Sequence, residues 1–354
     1  MSRAVVDSIV KAVLYEGYML YPYRPSAAKN QQRFNFGVVY PRSYSESQRG
    51  LDAWTMQTQC LLRSTDKTRC GARVRFLRMV ARSIGKLATS AGDFSDLEEL
   101  EVEKVARLEV GGKIYQSWQE AVEGEIVIAP FRITEVVSKA IELPFELCAR
   151  SEREAIRDDS GCTVGVISRE QQALTGVVEI SAAALQPGLF RLTVLISNST
   201  ALRNENICRR EDALHRSLVS AHTILEAGDG EFVSLIDPPE GFRESAATCR
   251  NVGTWPVLVG NEGDHDMILS SPIILYDYPQ VAPESPGDLF DGAEIDEILS
   301  LRILTMTDDE KSEMRESDAR ARKILDRTES LPQEQWMKLH GVLRGLRSMN
   351  GETS

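Results

Sequence analysis

The stretch of this 354-residue sequence best equipped for chemistry is Glu262-Gly263-Asp264-His265-Asp266. Asp264 and Asp266 flank an imidazole whose basicity they can raise, and the trio could share a hard cation, with Gly260 and Gly263 letting the backbone turn tightly around a ligand. Such a set would act as a general base or metal site in a metal-assisted hydrolase or lyase, with Asp277 as a distant helper. The same letters describe an acidic surface turn carrying one histidine, and charge runs of this kind are usually solvated. The turn is the preferred reading here, and the hydrolase or lyase using Asp264, His265 and Asp266 is the alternative. Of the other histidines, His215 and His222 fall seven positions apart on an expected helix, which separates them by about 10 Å along its axis, too far to share one ion. His340 completes the set.

Six cysteines, Cys60, Cys70, Cys148, Cys162, Cys208 and Cys249, never approach closer than ten positions. That spacing excludes a zinc ribbon, an iron-sulfur ligand set and a thioredoxin-type pair, and predicts buried, reduced, structural thiols. The sequence lacks a G-x-S-x-G elbow, an H-E-x-x-H pair, a phosphate-binding loop and a dinucleotide fingerprint. No cofactor, resident metal or small-molecule substrate is implied.

A second group of residues suggests binding rather than reaction. Between Tyr15 and Tyr44 lie eight of the chain's 23 aromatic residues, interleaved with Arg24, Lys29, Arg33 and Arg42. Tyrosine and arginine combine large contact area with hydrogen-bonding tips, which is the chemistry of interface anchors. The candidate partner-binding residues are therefore Tyr15, Tyr18, Tyr21, Tyr23, Arg24 and Arg33. An equally weighted reading makes the tyrosines mortar that seals a β-rich body against carboxyl-terminal helices, with their hydroxyls satisfied internally.

Charge is unevenly distributed. Residues 1–90 carry a balance of +10 and the rest −22, for a net −12. Either the basic region packs on the acidic one, or it docks an acidic partner. Arg73, Arg75, Arg78 and Arg82, with the aromatics upstream, make nucleic-acid binding a lesser alternative that the acidic isoelectric point of 5.1 argues against.

The positioning elements read as an α+β protein. Val5, Val6, Ile9, Val10, Val13 and Leu14 predict a short amino-terminal helix, which Pro22 and Pro25 stop. Strands are expected at 34–40, 54–62, 74–84, 102–115, 126–133, 161–168, 174–181 and 189–196, with a hairpin turn at Gly111-Gly112 and a helix over 211–225; at 74–84 the arginines Arg73, Arg75, Arg78 and Arg82 fit one side of a strand or of a helix. Asp291 before Glu294, Thr307 before Glu310 and Ser330 before Gln333 mark three carboxyl-terminal helix starts. The last of these helices would stripe Trp336, Leu339, Leu343 and Leu346 along one face. The expected organisation is a β-rich body over 1–280, including a basic aromatic arm within 1–90, and a Pro-rich linker with helices over 281–354. No apolar run reaches the roughly 20 residues of a spanning helix, which predicts a cytoplasmic protein without membrane contact.

Two stretches, Leu14-Tyr15-Glu16-Gly17-Tyr18-Met19-Leu20-Tyr21-Pro22-Tyr23-Arg24-Pro25-Ser26 and Ser271-Pro272-Ile273-Ile274-Leu275-Tyr276-Asp277-Tyr278-Pro279, the latter continued by 282–288, resemble an uncharacterised bacterial family. Its members are encoded beside nickel-iron hydrogenase structural and maturation genes. The resemblance implies a cytoplasmic accessory factor that touches a hydrogenase subunit or maturation factor. Without a clustered cysteine set, assembly or scaffolding fits better than metal carriage. The expected function is thus a non-catalytic interaction or assembly accessory.

Overall fold

A computed structural model describes residues 2–18, 23–24, 27, 30, 35–91, 97–98, 100–202, 209–280 and 296–332. It is α+β, with 47% strand and about 23% helix, built on a curled antiparallel sheet with helices at the carboxyl end. The helices are α1 (Ser2–Leu14), α2 (Arg42–Ser47), α3 (Ile133–Ser138), α4 (Arg210–Leu214), α5 (Arg243–Ala247), α6 (Asp296–Leu304), α7 (Asp308–Ser317) and α8 (Ala319–Glu329).

The spine of the sheet is β1 (Thr55–Ala91), a strand of 37 residues. Ordinary strands run to about ten residues, and β1 exceeds that because it exchanges neighbours along its length. After it come β2 (Glu103–Val105), the hairpin β3 (Arg107–Val110) and β4 (Lys113–Gln116), and β5 (Trp118–Arg132). Then follow β6 (Ile141–Leu147), β7 (Arg150–Arg157), β8 (Thr163–Gln171), β9 (Leu174–Gln186), β10 (Leu189–Asn198), β11 (Val219–Val233), β12 (Trp255–Leu258) and β13 (Met267–Ser271). The main path is β12-β13-β11-β1-β10-β9-β6, while β5, β8 and β2 attach further along β1 and β7 pairs with β8. Strands expected separately at 54–62 and 74–84 are therefore one. The polar stretch between them reads as a turn in sequence, but it is a register shift between Ser64 and Arg69 within the pairing to β11.

Alternation along β1 sends Met56, Cys60, Leu62, Cys70, Ala72, Val74 and Phe76 to the main core, where they meet Ile128, Val178, Leu192 and Leu225. On the other face α1 lays Val6, Ile9 and Val10 against Ile224, Val257 and Leu269. A further core joins Leu77, Met79 and Trp118 to Tyr15, Tyr18 and Tyr23 and to Leu299, Ile303, Met314, Ile324 and Leu325 of the carboxyl-terminal helices.

Local signals held where they depended on neighbours in sequence. Gly111 and Gly112 adopt φ +57° and +76° in the hairpin turn. Thr307 and Glu310 form a reciprocal capping box at the start of α7. The helix expected over 211–225 is instead the short α4 followed by β11. Residues 219–225 are buried on both sides of the sheet, so helical spacing of their apolar letters carries no periodicity information. Of the expected strand at 34–40, the described residues 35–40 contribute a bridge from Val39 to Leu218, and the Phe36 and Gly37 carbonyls accept Ser220 and Ala221 N–H. The helix start at Asp291, the Ser330–Gln333 start beyond its first residue, the Trp336 stripe and His340 lie outside the described residues.

Candidate functional site

The Asp264-His265-Asp266 segment is the turn that feeds β13, and its groups diverge. Asp264 Oδ2 accepts the Asn261 backbone N–H and side-chain amide at 2.9 and 3.0 Å, closing its own loop over Gly260. His265 Nδ1 donates to the Phe232 carbonyl at 3.1 Å, and the Asp266 carbonyl accepts Ala227 N–H at 2.8 Å, so both residues anchor strand ends while remaining exposed. Asp277 faces elsewhere, accepting Leu258 N–H at 2.8 Å and the Ser234 hydroxyl at 2.5 Å. Among the described residues no group of three histidine, cysteine or carboxylate side chains is placed to hold a metal ion. The geometry gives the hydrolase or lyase alternative no converging site.

The aromatic arm is corrected more sharply. Tyr15, Tyr18 and Tyr23 are 2%, 3% and 0% exposed, which removes them as a docking face. The Tyr15 hydroxyl donates to Glu123 Oε1 at 3.1 Å and accepts from Arg320, whose guanidinium also lies over the ring. Burial first, then Glu123, raises the Tyr15 pKa, with Arg320 opposing. The Tyr18 hydroxyl donates to Asp318 Oδ2 at 3.0 Å. Arg24 pairs with Glu310 at 2.8 Å and Glu313 at 3.4 Å on α7. All these partners lie in the acidic remainder of the chain, so part of the sign-split charge is spent inside the fold. Tyr21 and Arg33 lie outside the described residues.

Arginines offered for nucleic acid are spent in the same way. Arg73 reaches Asp7, Glu125 and Glu226; Arg75 reaches Glu123 and Asp7. Arg82 holds Glu120 at 3.5 Å and the Ser317 carbonyl at 2.6 Å. Three of the four cannot meet phosphate without breaking an internal pair.

His222 and His215 share no helix. His222 is fully buried in β11, with Nδ1 donating to the Ser220 carbonyl at 2.7 Å and Nε2 accepting the Ser271 hydroxyl at 3.2 Å. Burial pushes its pKa down to about 4. A serine beside a neutral imidazole is the arrangement of an activated nucleophile. Ser271 is nevertheless 0% exposed, and its oxygen also accepts Ile273 N–H, so no substrate reaches it in this fold. Cys60 and Cys70 are buried thiols, and burial raises Cys70 to about 12. Cys148, expected in the core, is exposed, and Cys208 lies outside the described residues.

What the sequence reading missed is an apolar margin around the outer strand β12. Trp255 is 46% exposed, and Ile274 and Tyr276, in the segment that returns to β12, are 73% and 83% exposed. That segment closes the strand's free edge only at Leu258, where Asp277 accepts the N–H and Tyr278 N–H donates to the carbonyl at 2.8 Å. Pro256 removes a donor from the rest of that edge. The signal available in sequence was Ile273-Ile274-Leu275-Tyr276, an apolar run between two prolines. No helix among the described residues is long and apolar enough to cross a membrane. No family model, curated protein or solved structure matches this chain.

Proposed function

We propose that this protein is a non-catalytic assembly accessory whose contact surface is the β12 margin rather than the amino-terminal arm. The observation that carries this reading is Tyr276, a large aromatic left 83% exposed by a chain that buries Tyr15, Tyr18, Tyr23, Tyr40 and Tyr44 to within 3%. Contiguous exposed apolar surface marks contact sites, and Trp and Tyr are over-represented among the residues that carry binding energy. Tyr276 and Ile274 also fall within one of the two stretches that resemble the hydrogenase-linked family, so the partner we propose is a nickel-iron hydrogenase subunit or maturation factor.

The test is co-expression of the tagged full chain with a nickel-iron hydrogenase large-subunit precursor and its maturation proteins. A hydrogenase component should co-purify with the wild type, and Trp255→Ala with Tyr276→Ala should remove it without lowering the melting temperature. Failure of the wild type to retain any component, or equal retention by the double variant, overturns the proposal.

A further inference from the structure

Arg78 occupies a gap in the sheet. On one side of β1, β11 ends opposite Leu77 and β8 begins opposite Val80, leaving Arg78 without a strand neighbour there. Its guanidinium turns into the gap, where Nη2 donates to the carbonyls of Cys148 and Gln172 at 3.0 and 2.9 Å. The side-chain oxygen of the same Gln172 accepts Nη2 of Arg216 at 2.8 Å. Two residues beyond Cys148 stands Arg150, the first residue of β7, opposite Gln171. Three guanidinium groups are thus gathered around the end of β8.

What separates them from the other arginines of this sheet is their partners. Arg73, Arg75, Arg82 and Arg169 all meet carboxylates, and Glu120 and Glu154 are already held by Arg82 and Arg169. Among the described residues, Arg78, Arg150 and Arg216 meet none. Arg78 is 9% exposed, and a cation so enclosed carries a desolvation cost that neutral carbonyls only partly offset. Burial, and then the neighbouring Arg150, push its pKa down. Its Nη1 and Nε make no hydrogen bond among the described residues, yet they are not sealed from solvent, so donors on two of its three nitrogens stay available singly.

We propose that Arg78, Arg150 and Arg216 form a binding site for a small oxyanion, a phosphate or carboxylate group. The unpartnered Nη1 of Arg78 donates to one oxygen, and the more exposed Arg150 and Arg216 close on the remaining charge. Gln172 fixes the spacing between Arg78 and Arg216. The site lies apart from the β12 margin and does not depend on the partner reading.

The experiment is calorimetric titration of the full chain with inorganic phosphate and with malonate, at an ionic strength held constant with chloride, beside thermal unfolding in each anion. Binding to the wild type is expected, with Arg150→Ala and Arg216→Ala each weakening it roughly tenfold or more, the loss of one charge-assisted bond. Both variants alter accessible side chains and should keep the wild-type melting temperature in chloride, whereas Arg78→Gln tests the buried member. A response to phosphate alone or malonate alone supports the site and identifies the group it takes. No binding of either anion, or equal binding by both alanine variants, overturns it.

Discussion

Arg320 lies over the ring of Tyr15, its guanidinium carbon 4.3 Å from the ring centroid, and donates to the same tyrosine's hydroxyl, joining residues 305 positions apart. The contact sits where α1 ends and α8 begins, above the Glu123 side chain of β5. The end of α1 and the start of α8 are therefore clamped on one patch of sheet. A cation over a largely desolvated ring contributes up to about 2 kcal/mol. Arg320→Ala and Tyr15→Phe should each destabilise the fold by on the order of 1–2 kcal/mol in urea unfolding. Because the residues touch, the double variant should lose less than the two single losses combined. Simple additivity would show that the bond from Arg320 to the hydroxyl carries no energy of its own, since phenylalanine keeps the ring beneath the guanidinium.

Asp318 has two duties. Its Oδ1 accepts Arg320 N–H at 2.7 Å and Ala321 N–H at 3.3 Å, capping α8, while Oδ2 accepts the Tyr18 hydroxyl. Asp318→Ala should cost about 2–3 kcal/mol, the sum of a lost cap and a buried hydroxyl left unpaired. Asp318→Asn keeps a capping oxygen and should cost about half as much. Amide exchange along α8 checks the assignment: protection should fall in the alanine variant and survive in the asparagine variant.

Gly176 in β9 has no room for a side chain. A methyl group there would stand 2.3 Å from the Ser197 carbonyl oxygen and 2.4 Å from the Phe145 ring, at the seam of β6, β9 and β10. Two of the three obstacles are one rigid ring and the third is backbone, so neither yields cheaply. Gly176→Ala should destabilise by about 3 kcal/mol or more, at or above the usual range for overpacking. Gly112, whose surroundings are open, has space for a methyl group, and the cost of alanine there comes from its φ of +76° alone, about 1 kcal/mol. A Gly176→Ala protein as stable as the wild type would disprove the crowding.

These examples mark where sequence ran out. The Thr307–Glu310 box and the Gly111-Gly112 turn were readable because each is settled within four residues. The first end of β1 was readable as a strand, while 74–84 fitted a strand or a helix alike, and the polar letters at 63–69 hid the continuity between them, since a bulge and a loop use the same residue types. The tyrosine arm was readable as adhesive, with sealing the body against the carboxyl-terminal helices as one of two equally weighted readings, but the individual partners were not readable. Its partners Glu123, Arg320 and Asp318 are supplied by β5 and α8, and burial depends on those distant neighbours rather than on local spacing. Arg78 looked like one of four equivalent arginines on β1, and only the exchange of β11 for β8 beside it sets it apart.

His222 makes stability depend on pH in a direction fixed by its environment. In the folded chain its pKa is about 4, against 6.5 for an ordinary imidazole, because burial opposes the charged form and Arg75 adds to that opposition. Between these values the unfolded chain binds a proton that the folded chain refuses, so folding stability rises with pH across the window. The contribution is fully present above about pH 6.5 and is lost as pH falls toward 4, by on the order of 3 kcal/mol. His215, half-buried and also lowered by desolvation, acts in the same sense and remains in any His222 variant. Comparison of slopes therefore isolates His222. His222→Gln keeps a neutral group that can still bond Ser220 or Ser271, and whatever it costs at pH 7, its stability should decline less steeply from pH 7 to 4.5 than that of the wild type. Denaturant midpoints at half-unit pH steps give both curves. Parallel curves would mean that the imidazole is protonated as readily in the fold as out of it, which contradicts its enclosure between β11 and β13.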